Sequence, residues 1–248
     1  MKKAYDDYYE VQAVRGMHAF GGSQLSVNSF MAKVYGWMFI GLLISALSGF
    51  VMLIAALSNW QVFNFFFSGQ TYIVLCVVEL ALVFVLSGRA LKMKVGVAAA
   101  MFVAYSVFNG VTLTVIGFIY AGEVMIIAFA LTAVSFGIMS VVGFTTKADL
   151  SGMGKILLFG LLGVIIASVV NIFLLKSSTL DLIICIVGLF VFLALVKYDT
   201  QKIKTAYFSY AETAGAEAAT KIAIVGALSL YLDFVNIFLF IVRILGRK

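Results

Sequence analysis

Seven apolar stretches, at 34–57, 71–87, 95–120, 124–144, 155–175, 180–196 and 222–245, take up most of this 248-residue chain. About 20 such residues cross the roughly 30 Å of a bilayer's hydrocarbon as an α-helix, so each stretch is a candidate membrane span. In lipid the backbone must satisfy its own polar groups, which leaves helices or closed barrels. Long runs without alternation are not barrel strands. The expected fold is therefore an all-α integral membrane protein, a seven-transmembrane-helix bundle in one domain over 34–248, preceded by a polar cytoplasmic tail over 1–33. The runs 71–87 and 180–196 are near the short limit, so their helices are expected to continue into the charged segments beside them.

Composition agrees. The chain is 64% hydrophobic and 11% charged and has no proline, with a mean hydropathy of +1.14, whereas globular domains are about 45–50% apolar and about 25% charged. Without proline no helix can carry a proline kink. If the bundle moves, it must use glycine positions such as Gly188 and Gly226, or tilt whole helices. Cys76 and Cys185 lie inside apolar runs as small hydrophobes, not as a disulfide framework. The first thirty residues lack the apolar core of a cleavable signal peptide and read as a partly disordered tail.

The net charge of +6 fits a membrane protein, because cytoplasmic loops carry an excess of Lys and Arg. No basic run with interleaved aromatics suggests nucleic acid. With the amino terminus in the cytoplasm, the cations of the tail, of 88–95, of 145–155 and of 197–221 all lie inside, against Lys176 alone outside. Arg243, Arg247 and Lys248 break the pattern if the last run crosses fully, which its length favours. Small residues at four-residue spacing mark close helix approach: Gly41, Ser45 and Gly49 on the first span, Ser106, Gly110 and Thr114 on the third, and Gly163 with Ala167 on the fifth.

Function is sought among the polar residues that the bilayer makes costly. A charge at mid-helix costs about 2.5–3.5 kcal/mol on insertion scales. Asp233 sits at the centre of the last run, with Ser229 and Asn236 on its face. Asp199 is near the inner end of the sixth helix beside the amphipathic Tyr198. Glu79 is mid-way along the second span, where pairing with a polar group of another helix is expected. Arg89, which ends that span, is a cationic partner at the depth of Asp199. Asn109 and Asn171 are expected to bond between helices. Two carboxylates held close in low dielectric cannot both ionise easily, so such a pair exchanges protons as a unit. Ionised, it offers oxygen ligands to calcium, but fewer than the 6–8 that a tight site uses.

Enzyme chemistry finds little support. The single histidine, His18, lies in the tail, which removes the base of a serine protease and a histidine-bound metal. A retinal protein needs a lysine within its last helix, and none lies between Lys221 and Lys248. Tyr198-Asp199 matches half of an intramembrane aspartyl protease signature, yet Leu230-Tyr231-Leu232 stands before Asp233 where glycines are required. The chain is expected not to be an enzyme and to need no cofactor.

The segments ALSLYLDFVNIFLFIVRILG at 227–246, VKYDTQKI at 196–203 and VELALVFVLSG at 78–88 resemble the Bax-inhibitor family of transmembrane proteins, the lifeguard group and its bacterial relatives. The resemblance implies a seven-helix bundle with a central last helix and a pH-sensitive calcium leak. It makes Asp199 and Asp233 the pH-sensing pair and transient calcium site, and Arg89 the latch that holds the pair closed, with Ala90 taking that place in a register one residue longer. Glu79 matches a family glutamate, and Asn236 and Tyr198 are supporting polar groups. The implied partners are calcium ions, protons and lipid, in a bacterial plasma membrane. A rival reading is a non-transporting regulator that binds another membrane protein, such as a membrane-bound protease or a cell-death factor.

Overall fold

The computed structural model describes the backbone of residues 2–150 and 152–247, and the side chains among them from residue 27 onward, leaving out those of 210–214. His18 and most of the stretch read as a tail therefore lie outside the described side chains. Eight α-helices follow one another: α1 (Lys2–Ser58), α2 (Trp60–Phe67), α3 (Gly69–Arg89), α4 (Val95–Ile119), α5 (Gly122–Thr145), α6 (Met153–Val170), α7 (Ser178–Ala206) and α8 (Glu212–Leu245). All but α2 are long and apolar enough to span a membrane, so the chain is an integral membrane protein with an all-helical bundle.

The two short runs lengthen as expected. The second becomes Gly69–Lys92 and the sixth Ser178–Ser209. The first membrane helix also starts earlier than residue 34. Val27, Phe30 and Met31 are buried, and Phe30 packs on Tyr207 at 5.0 Å between ring centroids. The charged stretch Lys197–Lys221 is largely helical. α7 runs on to Ala206, a π-helical turn follows at Tyr207–Ala211, and α8 begins at Glu212. The short α2 was not anticipated. Its aromatic run WQVFNFFF is capped by Asn59, whose side chain accepts from the Gln61 amide at 2.8 Å, and it lays Phe63 and Phe67 on Phe118 of α4.

α8 is the central element, with contacts to α1, α4, α5 and α7. It is the most enclosed of the seven spans, and Leu228, Leu230, Tyr231, Ile237 and Val242 are sealed from the surroundings. The other spans turn large apolar side chains outward, among them Phe39, Phe84, Ile126 and Phe159, as a lipid-facing surface requires.

α1 and α4 pack closely because two small-residue stripes face each other. A Cβ on Gly49 would lie 2.8 Å from the Gly110 carbonyl oxygen, and one on Gly110 would lie 2.3 Å from that of Ser45. The approach lets Ser45 Oγ donate to Ser106 O at 2.7 Å and Thr114 Oγ1 to Gly49 O at 3.2 Å. The third stripe does not behave this way, since a Cβ on Gly163 would meet nothing within 4 Å.

Gly188 and Gly226, expected as points of flexure, are instead sites of tight packing. A Cβ on Gly188 would come 2.4 Å from the Phe240 ring, and one on Gly226 would come 3.1 Å from Ile203. The breaks in regular α-helix lie elsewhere, at Asn171–Leu175 and Tyr207–Ala211, which are π-helical, and at Gly215, where φ is 83°. That left-handed conformation favours glycine.

Gly110→Val should overpack the α1–α4 contact at a cost of about 1–3 kcal/mol, lowering the thermal midpoint in detergent by several degrees, while Gly163→Val should leave it nearly unchanged. Equal midpoints for the two variants would contradict this packing.

Candidate functional site

Tyr231 and Asp233 lie two residues apart on α8, about 200° around the helix at 3.6 residues per turn, and they serve opposite sides of the bundle. Tyr231 faces α1 and α4. Its hydroxyl donates to Asn109 Oδ1 at 2.7 Å and shares a 2.6 Å hydrogen bond with Ser45 Oγ. Asn109 Nδ2 in turn donates to Glu79 Oε2 at 3.0 Å, and Thr112 Oγ1 donates to Glu79 Oε1 at 2.8 Å. Phe102 and Tyr105 close edge-on around the Tyr231 ring. Glu79 thus finds the interhelical partners expected of it, in a network that ties α3 to α4, α8 and α1.

Asp233 faces the other way. The residue is only 4% exposed, and its Oδ2 has no hydrogen-bond partner among the described residues. Together with Asp199 it lines a cavity of about 550 Å³ between α6, α7 and α8. Ser229 and Asn236 line the same cavity, as their spacing on α8 requires. The Asn236 amide donates to Leu232 O at 2.8 Å. Two antiparallel helices therefore bring together the pair that the sequence singled out.

Arg89 does not join them. It is exposed at the end of α3 and makes no ion pair among the described residues. The physical reason is direction: α3 packs mainly on α4, and although the turn after it reaches α8, the Arg89 side chain itself is turned outward. Ala90, the neighbouring candidate, is buried and carries no charge. Tyr198 also stands apart from the cavity lining, stacked against Gly154 at the start of α6 with Lys202 Nζ 5.8 Å from its ring centre. Asn171 bonds locally, not between helices in the bundle core. It donates to Ser177 O and accepts from the Ser177 amide, closing the turn into α7.

The arginine at the cavity is Arg243, on the last turns of α8. It pairs with Asp181 in the first turn of α7. Arg247 lies 3.6 Å from the same carboxylate and donates to Ser178 Oγ at 2.6 Å. The end of α8 therefore sits beside the start of α7, and the last helix crosses the bundle fully. The residues that sequence reasoning missed here, Asp181 and Arg243, carried a signal: a lone acid opening one helix and the only cations that broke the charge rule.

The fold and the site define a seven-helix membrane bundle with an acidic cavity along its central helix. A family model described as "Inhibitor of apoptosis-promoting Bax1" matches residues 27–248, and the chain belongs to this Bax-inhibitor family, in line with the resemblance. It is 41% identical over 223 residues to the inner membrane protein YbhL of Escherichia coli K12, covering 90% of this chain and 93% of that protein. A protein of Deinococcus radiodurans is 41% identical over 218 residues, 88% of this chain and 90% of the relative. One from Borreliella burgdorferi is 39% identical over 222 residues, 89% of this chain and 93% of the relative.

Tyr231→Phe removes the hydroxyl that joins Ser45 to Asn109 and should destabilise the protein by about 1–2 kcal/mol, the usual cost of leaving buried partners unpaired. Unfolding in graded sodium dodecyl sulfate measures this, and a variant as stable as the parent would contradict the network.

Proposed function

We propose that this protein is a pH-responsive calcium leak in which the Asp199–Asp233 pair takes up protons and transiently binds the permeant ion. The observation that carries the reading is the placement of both carboxylates on one cavity, with Asp233 buried and its Oδ2 unpartnered. A bare carboxylate at such depth is costly, so a proton or a cation is its natural companion. Two carboxylates fall short of the 6–8 oxygens of a tight calcium site, and no group of three or more His, Cys, Asp or Glu suited to a metal occurs among the described residues. That donor set suits an ion in passage better than one in storage.

The charged groups around the pair are Lys202, which acts on Asp199, and Arg243 at the far end of the cavity. When pH falls the pair gains protons, its mutual repulsion drops, and the hold of α7 on α8 at this depth changes. The same protons compete with calcium, so flux passes through an optimum. The latch that the resemblance gives to Arg89 is not made in this structure, and the reading does not depend on it.

The reading sets the protein in a bacterial membrane with the amino terminus in the cytoplasm, as a proposal. Support comes from the cation asymmetry and from the named location of the E. coli relative. The pairing of Arg243 and Arg247 with Asp181 compensates the cations that broke the rule.

Calcium flux into liposomes, measured at several pH values, tests the proposal. Asp233→Asn and Asp199→Asn should each flatten the pH profile at least about fivefold, the lower end of typical coupling between linked sites. A profile unchanged in both variants would overturn the reading.

A further inference from the structure

The cavity beside the aspartate pair is built for more than a small inorganic ion. Its volume of about 550 Å³ falls in the range of about 300–1,000 Å³ typical of small-molecule sites. Apart from the two carboxylates its lining is chiefly apolar, with Val164 and Ile165 on α6 and Leu232 on α8. Such walls match the apolar body of an organic ligand and would be left uncovered by a small inorganic ion. Phe192 and Phe240 also line it, their rings 5.8 Å apart and tilted by 45°, and aromatic faces attract cations that carry no tight water shell.

Charge and access point the same way. Asp233 Oδ2 is buried, unpartnered and on the cavity. The positive charge of Arg243 at the opposite end is taken up by Asp181; Lys202 acts on Asp199, and Asp233 Oδ2 is left as the open anionic group. α6 leans chiefly on α7, and its rim residues Ile165 and Val169 are each 48% exposed. The slot between α6 and α8 is thus bordered by residues that face the membrane, where lipophilic cations concentrate.

We infer that this cavity binds an amphipathic organic cation, with a quaternary ammonium or phosphonium centre held by Asp199, Asp233 and the two phenylalanine rings, and an apolar body along α6. The inference goes beyond the calcium reading and does not require it. The unpartnered oxygen supplies the charge, the rings receive a weakly hydrated cation, and the apolar wall takes the body of the ligand.

Saturable binding of tritiated tetraphenylphosphonium to the full chain in nanodiscs, with empty nanodiscs subtracted, tests it. The expected result is a saturable component displaced by decyltrimethylammonium and not by neutral triphenylphosphine oxide. Asp233→Asn should weaken it by at least about tenfold, since removing one partner of a buried charge contact is costly. Ile165→Trp, which crowds the half-exposed rim and leaves both carboxylates in place, should weaken it as well and guards against a folding defect in the first variant. The absence of a saturable component, undiminished binding in both variants, or displacement by the neutral compound would overturn the inference. Saturable binding without calcium flux in liposomes would overturn the leak and leave this site standing, and flux without saturable binding would do the reverse.

Discussion

A carboxylate on the most enclosed helix of a membrane bundle is the constraint around which the rest is arranged. No water is at hand at that depth, so polar groups must be satisfied by the protein. α8 meets this on its two sides in different ways. Toward α1, α3 and α4, the Tyr231 hydroxyl bonds both Ser45 and Asn109, and Asn109 and Thr112 in turn donate to Glu79. Toward α6 and α7, Asp233 meets a cavity and a second carboxylate. One side of the central helix is tied down, and the other is left with an unpaired oxygen and room beside it.

The packing follows the same division. α1 and α4 touch backbone to backbone through Gly49 and Gly110, and hydrogen bonds from Ser45 and Thr114 cross that seam. α6, by contrast, lacks close glycine contact at Gly163 and leans chiefly on α7. With no proline in the chain and with Gly188 and Gly226 packed against Phe240 and Ile203, bending inside α7 or α8 at those points is opposed by packing. Motion of α7 against α8 is better served by the π-helical turn Tyr207–Ala211 and by Gly215, which join the two helices at the end nearer Asp199.

The seven spans were legible because an apolar run long enough to cross a bilayer has few other folds open to it. Their ends were less so. That α7 continues through Lys197, Lys202 and Lys204 was expected from its short apolar run, but where it stops, at Ala206, was not, because a helix leaving the hydrocarbon has no reason to stop where charge begins. α2 escaped notice because WQVFNFFF is too short to span and too apolar to read as a turn. Asp199 and Asp233 were conspicuous as acids among apolar neighbours, and the structure brings them to one cavity. Arg89 was singled out by its depth and by the resemblance, and neither says which direction its side chain faces. Which arginine meets the cavity depends on which helix ends are neighbours and which way their side chains turn, and that is tertiary information: α8 delivers Arg243, while Arg89 at the end of α3 is exposed.

The central claim is that Asp199 and Asp233 act as one proton-exchanging unit. Infrared difference spectroscopy on the protein in lipid, with aspartate carboxyl carbons isotopically labelled, reads it most directly. The carboxyl bands of the two residues, assigned through Asp199→Asn and Asp233→Asn, are followed across pH. The account predicts that neutralising either residue shifts the titration of the other; two bands that titrate identically whether or not the partner carboxyl is present would contradict it.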